Sequence, residues 1–105
     1  LKQRYEDLMP AIRFAAADCG YGIGVHGTGT RDLDLIAVPW IQEVRTATEL
    51  VEAVRAAVAG EIRVKGVWDR QPQEKPHGRL AWSIQIGGDL YIDLSVTPVS
   101  AITKV

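Results

Sequence analysis

The chain has 105 residues, 47% of them hydrophobic and 24% charged, which excludes a two-domain enzyme and a disordered chain. Its 12 Lys and Arg against 13 Asp and Glu leave a net charge of -1, so no global positive field draws it to nucleic acid or to anionic lipid, and nucleic acid is not an expected partner. The single Cys19 cannot close an internal disulfide and no run of about 18 apolar residues is present to span a bilayer, so the expected setting is reducing, cytoplasmic and without membrane. The first residue is Leu1 rather than Met and no signal-peptide pattern follows, so the start reads as trimmed.

Over residues 2–19, Tyr5, Leu8, Met9, Ile12, Ala15, Ala16 and Cys19 recur at helical spacing, and Gly20 follows as a left-handed stop. Pro10 either bends this helix or separates its first turn. Residues 21–26 and 33–38 are short apolar runs that read as antiparallel neighbouring strands, joined by a Gly- and Thr-rich turn too short for more than a helical turn. Pro39 ends the second. Thr46-Ala47-Thr48-Glu49 matches a capping box, and Leu50, Val51, Val54, Ala57 and Val58 form the apolar stripe of the helix it opens, with Gly60 as its stop.

Residues 62–67 alternate as a strand, and residues 68–79 are polar and twice broken by proline, an exposed loop. Residues 80–86 and 90–96 alternate cleanly and read as a hairpin. If Trp82, Ile84 and Ile86 share the buried face with Leu94, Ile92 and Leu90, the loop is three residues, 87–89, and Ser83 lies opposite Asp93 and Gln85 opposite Tyr91 on the other face. The expected architecture is a single α+β domain over residues 1–105. Its sheet is mixed and mostly antiparallel, with about five strands, and two main helices cover one face. A core this small leaves room for a homodimer or a partner protein to cover the open surface.

That open face carries the chemistry. Asp32 and Asp34 are two apart on an extended chain, so both side chains emerge on one side, and Asp93 faces the same way from another strand. Adjacent carboxylates repel unless a cation neutralises them, and hard oxygen ligands favour Mg²⁺ or Mn²⁺. Just upstream, a strand ends at Val25-His26 and turns through Gly27-Thr28, where backbone amides and a hydroxyl can approach phosphate oxygens.

The pattern Val25-His26-Gly27-Thr28, then Arg31-Asp32-Leu33-Asp34-Leu35-Ile36-Ala37-Val38, then Tyr91-Ile92-Asp93-Leu94 resembles the nucleotidyltransferase superfamily of DNA polymerase beta over residues 21–96. It is similar in particular to antitoxin-type minimal nucleotidyltransferases and to small bacteriophage and prophage proteins. The resemblance implies that Gly27 and Thr28 hold a nucleoside triphosphate, that Asp32 and Asp34 bind two metals, and that Asp93 shares one metal and helps activate an acceptor hydroxyl. The sequence departs from the family in two ways. Only Gly29-Thr30-Arg31 separates the turn from the acid pair, where relatives carry a longer, partly helical segment, and the family's second domain does not fit within 105 residues.

The remaining residues carry two readings each. Arg31 pairs with a carboxylate or binds phosphate. Lys75 and Arg79, with His77 and Arg70, either bring positive charge to a nucleotide or are scattered charges on a solvated loop beside Asp69 and Glu74. His26 reads as a strand-end residue rather than a metal ligand, because no second His or Cys stands at metal spacing. Trp82 fits the buried side of the hairpin, Trp40 and Trp68 sit beside loops where they line a cleft or a partner surface, and Cys19 reads as a small core residue. Two functions follow. One is metal-dependent transfer of a nucleotidyl group from a nucleoside triphosphate to a hydroxyl. The other is a catalytically silent scaffold of the same fold that binds a protein, as a phage accessory or inhibitory protein on a host target or as an antitoxin on a toxin.

Overall fold

The computed structural model describes residues 2–27, 32–62, 67–68, 72–85 and 91–98, with the backbone alone for residues 2–4 and 67–68. Two helices and six short strands make one α+β layer pair. The order is α1 (Lys2–Asp18), β1 (Tyr21–His26), β2 (Asp32–Pro39), α2 (Ala47–Ile62), β3 (Val67–Trp68), β4 (Gln73–Glu74), a 3-10 turn (Pro76–Gly78), β5 (Leu80–Gln85) and β6 (Tyr91–Val96). The sheet runs β1-β2-β6-β5-β3, with β4 also on β5. Only the central pair, β2 with β6, is parallel.

Helix α1 is one continuous helix with Pro10 inside it. It ends one residue earlier than the periodicity suggests. Cys19 and Gly20 form the closing turn, with Gly20 at φ +91°, where a Cβ would fall 2.9 Å from Val44. Helix α2 opens on the predicted capping box: the Thr46 hydroxyl accepts from Glu49 N–H at 3.1 Å, and Thr46 N–H donates to the Glu49 carboxylate at 3.2 Å.

Two expectations need correction. Gly60 does not stop α2, which continues to Ile62. Ile62 stands four residues after the buried Val58 and packs partly against the core, so the apolar stripe runs past the glycine. The strand expected over residues 62–67 therefore loses its first residue to the helix, and the described strand there is Val67–Trp68. Within the expected loop over 68–79, Gln73 and Glu74 pair with Ala81 and Leu80 ahead of the 3-10 turn; residues 73–78 are exposed as expected, and residues 69–71 lie outside the described residues.

The hairpin register is the predicted one: Trp82 faces Leu94, Ser83 faces Asp93, Ile84 faces Ile92 and Gln85 faces Tyr91. Its expected loop at 87–89, together with Ile86 and Leu90, lies outside the described residues. On the inner face Leu33, Leu35, Ala37, Trp82, Ile84, Ile92, Leu94 and Val96 are buried against Tyr5, Leu8, Ile12 and Ala16 of α1 and Leu50, Val51, Val54 and Val58 of α2. Both helices thus sit on one face, and strand alternation sends the intervening residues to the opposite, open face.

Candidate functional site

The parallel pairing of β2 with β6 puts Asp34 directly beside Asp93. Across the other edge of β2, His26 is the register partner of Asp34, and Ser83 on β5 is the partner of Asp93. One row of the open face therefore reads His26, Asp34, Asp93, Ser83 over four adjacent strands. The Ser83 hydroxyl donates to Asp93 Oδ1 at 2.8 Å, which fixes that carboxylate in the row.

Asp34 is half-buried, and its carboxyl titrates above the ordinary range. Burial is the main cause. The charge of Asp93 and a hydrogen bond shared with it add to the shift, Asp32 adds less, and the proximity of His26 opposes it. A carboxyl that resists ionisation beside a second carboxylate is what two acids forced into one site produce. Asp32 lies on the same face at the exposed end of β2, in register with Tyr91.

Gly27 follows β1 with φ +78°, and a Cβ there would stand 3.4 Å from Asp34 Oδ2. The left-handed backbone and the adjacent carboxylate both suit glycine. Thr28 and Arg31, the other residues of the predicted phosphate turn, lie outside the described residues.

The row forms the floor of a cleft of about 660 Å³, within the usual range for small-molecule sites. Of the predicted site residues, Asp34, Asp93, Lys75 and Arg79 all line it, and His26 joins them; Asp32 and Gly27 flank it without lining it. Arg79 Nε donates to Pro76 O at 3.3 Å and Arg79 Nη1 to Ser95 Oγ at 3.2 Å. His77 sits in the 3-10 turn with φ 66° and is not among the lining residues, and Arg70 and Asp69 are outside the described residues.

Ser95 and Gln73 line the cleft as well and were not singled out from sequence. Ser95 was within reach, because it stands two residues after Asp93 and so shares its face. Gln73 was not, because its strand is two residues long. Beneath the site, the buried Tyr5 hydroxyl accepts from Tyr91 N–H at 3.4 Å, tying α1 to the first residue of β6.

Of the other aromatic and thiol readings, that of Trp68 falls on a side chain outside the described residues. Trp82 is buried in the core. The Trp40 ring lies against Gly22, is 72% exposed and is not part of the cleft. Burial pushes the Cys19 thiol up, as does Asp18, in keeping with a small core-edge residue rather than a nucleophile.

The donor set fits a hard divalent cation in kind. Asp34 and Asp93 stand side by side and Asp32 projects from the same face, three carboxylates of the kind a hard cation takes. Among the described residues no three His, Cys, Asp or Glu stand at a spacing that would hold an ion. No helix of the described residues is long and apolar enough to cross a membrane.

No family model matches the sequence, and no curated protein matches it. Among solved structures the chain is similar to terminal uridylyl transferase 4 from Trypanosoma brucei with bound CTP, at 10% identity and a TM-score of 0.48, over 97% of this chain and 36% of that one. The chain thus spans about a third of that protein's length.

Proposed function

We propose that this chain is nucleotidyltransferase-like and that its open face transfers a nucleotidyl group from a nucleoside triphosphate to a hydroxyl, with a divalent metal. The observation that carries the reading is the direct register of Asp34 with Asp93 at the floor of an open cleft, with Gly27 packed against the first and Ser83 bonded to the second. It agrees with the order of motifs that the sequence shares with the DNA polymerase beta superfamily.

Asp32, Asp34 and Asp93 would hold Mg²⁺ or Mn²⁺, which when bound neutralises phosphate charge and makes a coordinated hydroxyl more acidic. Gly27, with Thr28 and Arg31 after it, receives the donor's phosphates on amide and side-chain donors. The acceptor oxygen bonds to the α-phosphorus, the bond from that phosphorus to the oxygen bridging to the β-phosphate breaks, and pyrophosphate leaves with the electron pair. The hydroxyl proton passes to the Asp93 carboxylate, which Ser83 holds in place. Lys75 and Arg79 supply positive charge on the cleft's other wall.

Isothermal titration with the four nucleoside triphosphates, with and without Mg²⁺, tests this on the wild type and on the double variant Asp32→Asn/Asp34→Asn. Magnesium-dependent binding that the double variant loses is the expected result. A folded wild type that binds none of them, where an affinity of about 1 mM would register, overturns it.

One observation favours the second reading. With no three ligating residues at metal spacing among the described residues, the same face serves a silent scaffold whose role is to bind a host protein or a toxin. That reading predicts that the cleft takes no nucleotide, and the same titration separates the two.

A further inference from the structure

Lys75 and Arg79 enter the cleft from the two ends of one tight loop, closed by Lys75 N–H donating to Arg79 O at 2.9 Å. The Arg79 guanidinium is oriented by two neutral acceptors, Pro76 O and Ser95 Oγ. Among the described residues neither cation pairs with a carboxylate; the ion pairs there are Arg45 with Glu49 and Arg55 with Glu52. A guanidinium fixed by neutral groups, with a lysine in the same cleft lining, keeps its charge and its remaining donors for an anion. Ser95 accepts from Arg79 and so has its own O–H left to donate.

The place of this corner matters. Ser95 is two residues past Asp93, roughly 7 Å along β6, and is in register with Ile36 of β2. Gly27 lies on the other side of the acid row, one residue past the His26 that pairs with Asp34. From Gly27 to Ser95 is two strands across and three residues along, about 10 Å each way and so about 14 Å in all. The acids stand between them. In a phosphoryl-type displacement the attacking and leaving oxygens are roughly in line on opposite sides of the phosphorus. If the donor's leaving phosphates sit at Gly27, the attacking hydroxyl approaches from the side of Arg79.

Resting on the nucleotidyl-transfer reading, we infer that Arg79, Lys75 and Ser95 form a phosphate subsite for the acceptor, and that the acceptor is a small phosphorylated alcohol. Two cations and a hydroxyl match one phosphomonoester. The chain's net charge of -1 gives it no general attraction for a polynucleotide. The subsite also reassigns Lys75 and Arg79 from the nucleotide, where the sequence put them, to its co-substrate.

The test uses glycerol 3-phosphate as probe, with glycerol as control, in EDTA and without nucleotide, followed by calorimetry and NMR shifts. Wild type and Asp34→Asn bind the probe and not glycerol, and Arg79→Ala weakens it by about tenfold or more, the loss expected for a charged hydrogen bond. Arg79→Lys, which keeps the charge without the fork, recovers part of that loss. Arg79→Ala loses a larger factor in affinity for the probe than for nucleoside triphosphate with Mg²⁺. A folded wild type that does not bind glycerol 3-phosphate overturns the subsite. So does an Arg79→Ala variant that loses the nucleotide instead, or a short single-stranded oligonucleotide that binds more tightly than the probe and through Arg79. Arg79-dependent probe binding in a protein that takes no nucleotide sustains the phosphate subsite and ends the transfer reading alone.

Discussion

The two faces of this sheet come from the same strands by the same alternation, and they differ in what they do for stability. On the inner face β2 and β6 present Leu33, Leu35, Ala37, Ile92, Leu94 and Val96, all buried under the helices. On the outer face the same two strands set Asp34 beside Asp93, and like charges directly opposite on a sheet are unfavourable. The inner face fixes the strand pairing, and the outer face accepts whatever that pairing imposes.

The largest effect that would break the comparison is on the inner face. Leu94 is fully buried in the hairpin, and Leu94→Ala removes its packing against its neighbours, so denaturant unfolding should show a loss of about 2–5 kcal/mol. Its outer-face neighbour should behave in the opposite way. Asp34→Asn keeps the shape and removes a half-buried charge from beside Asp93, so it should unfold no more easily than wild type at neutral pH in EDTA. Its magnesium-dependent nucleotide affinity should nevertheless fall by about 100-fold or more, as expected when a ligand rather than an outer-shell group is lost. An Asp34→Asn that binds nucleotide like wild type would leave the outer face without a function.

The pH dependence sharpens the same contrast. Asp34 titrates higher in the folded protein than in the unfolded chain, so its contribution to stability is fully present below the unfolded value and is lost as pH rises through the folded one. Denaturation profiles of wild type and Asp34→Asn should therefore differ across that window, with wild type gaining relative to the variant as pH falls from neutral into the carboxylate range. Parallel profiles would mean that neither burial nor Asp93 raises Asp34 in the folded protein.

The inner face was largely legible in the sequence and the outer face only in part. Alternation over Trp82–Ile84 and Ile92–Leu94 fixed the hairpin register, because a shift of one residue would turn the whole apolar set to solvent. The buried positions of both helices followed their periodicity. The neighbours of Asp93 on its β2 side were another matter: Asp34 and Asp93 are joined by a parallel pairing across an intervening helix and three strands, and no local pattern encodes such a contact. Arg79 and Ser95 meet where a 3-10 turn, which no periodicity marked, leads into the hairpin beside Ser95. Gly60 misled because a glycine was weighed as a stop, while the stripe from Val58 to Ile62 continued beyond it.

The smallest expected effect lies away from both faces, where α2 begins, and it supplies a carboxylate of the opposite kind. Glu49 titrates below its ordinary value, first because Thr46 N–H donates to it and next because the Thr46 hydroxyl does, with Arg45 adding less. A group lowered in this way contributes stability above its unfolded value and loses it as pH falls through the folded one, the reverse of Asp34. Thr46→Ala removes the hydroxyl that accepts from Glu49 N–H and should cost about 1 kcal/mol at neutral pH. Urea midpoints of Thr46→Ala should lie nearer to those of wild type in acid than at neutral pH without meeting them, because the bond from Glu49 N–H to the hydroxyl does not depend on pH and the Thr46 N–H that chiefly lowers Glu49 is kept; a gap that does not change with pH would show that the hydroxyl does not act through the Glu49 carboxylate.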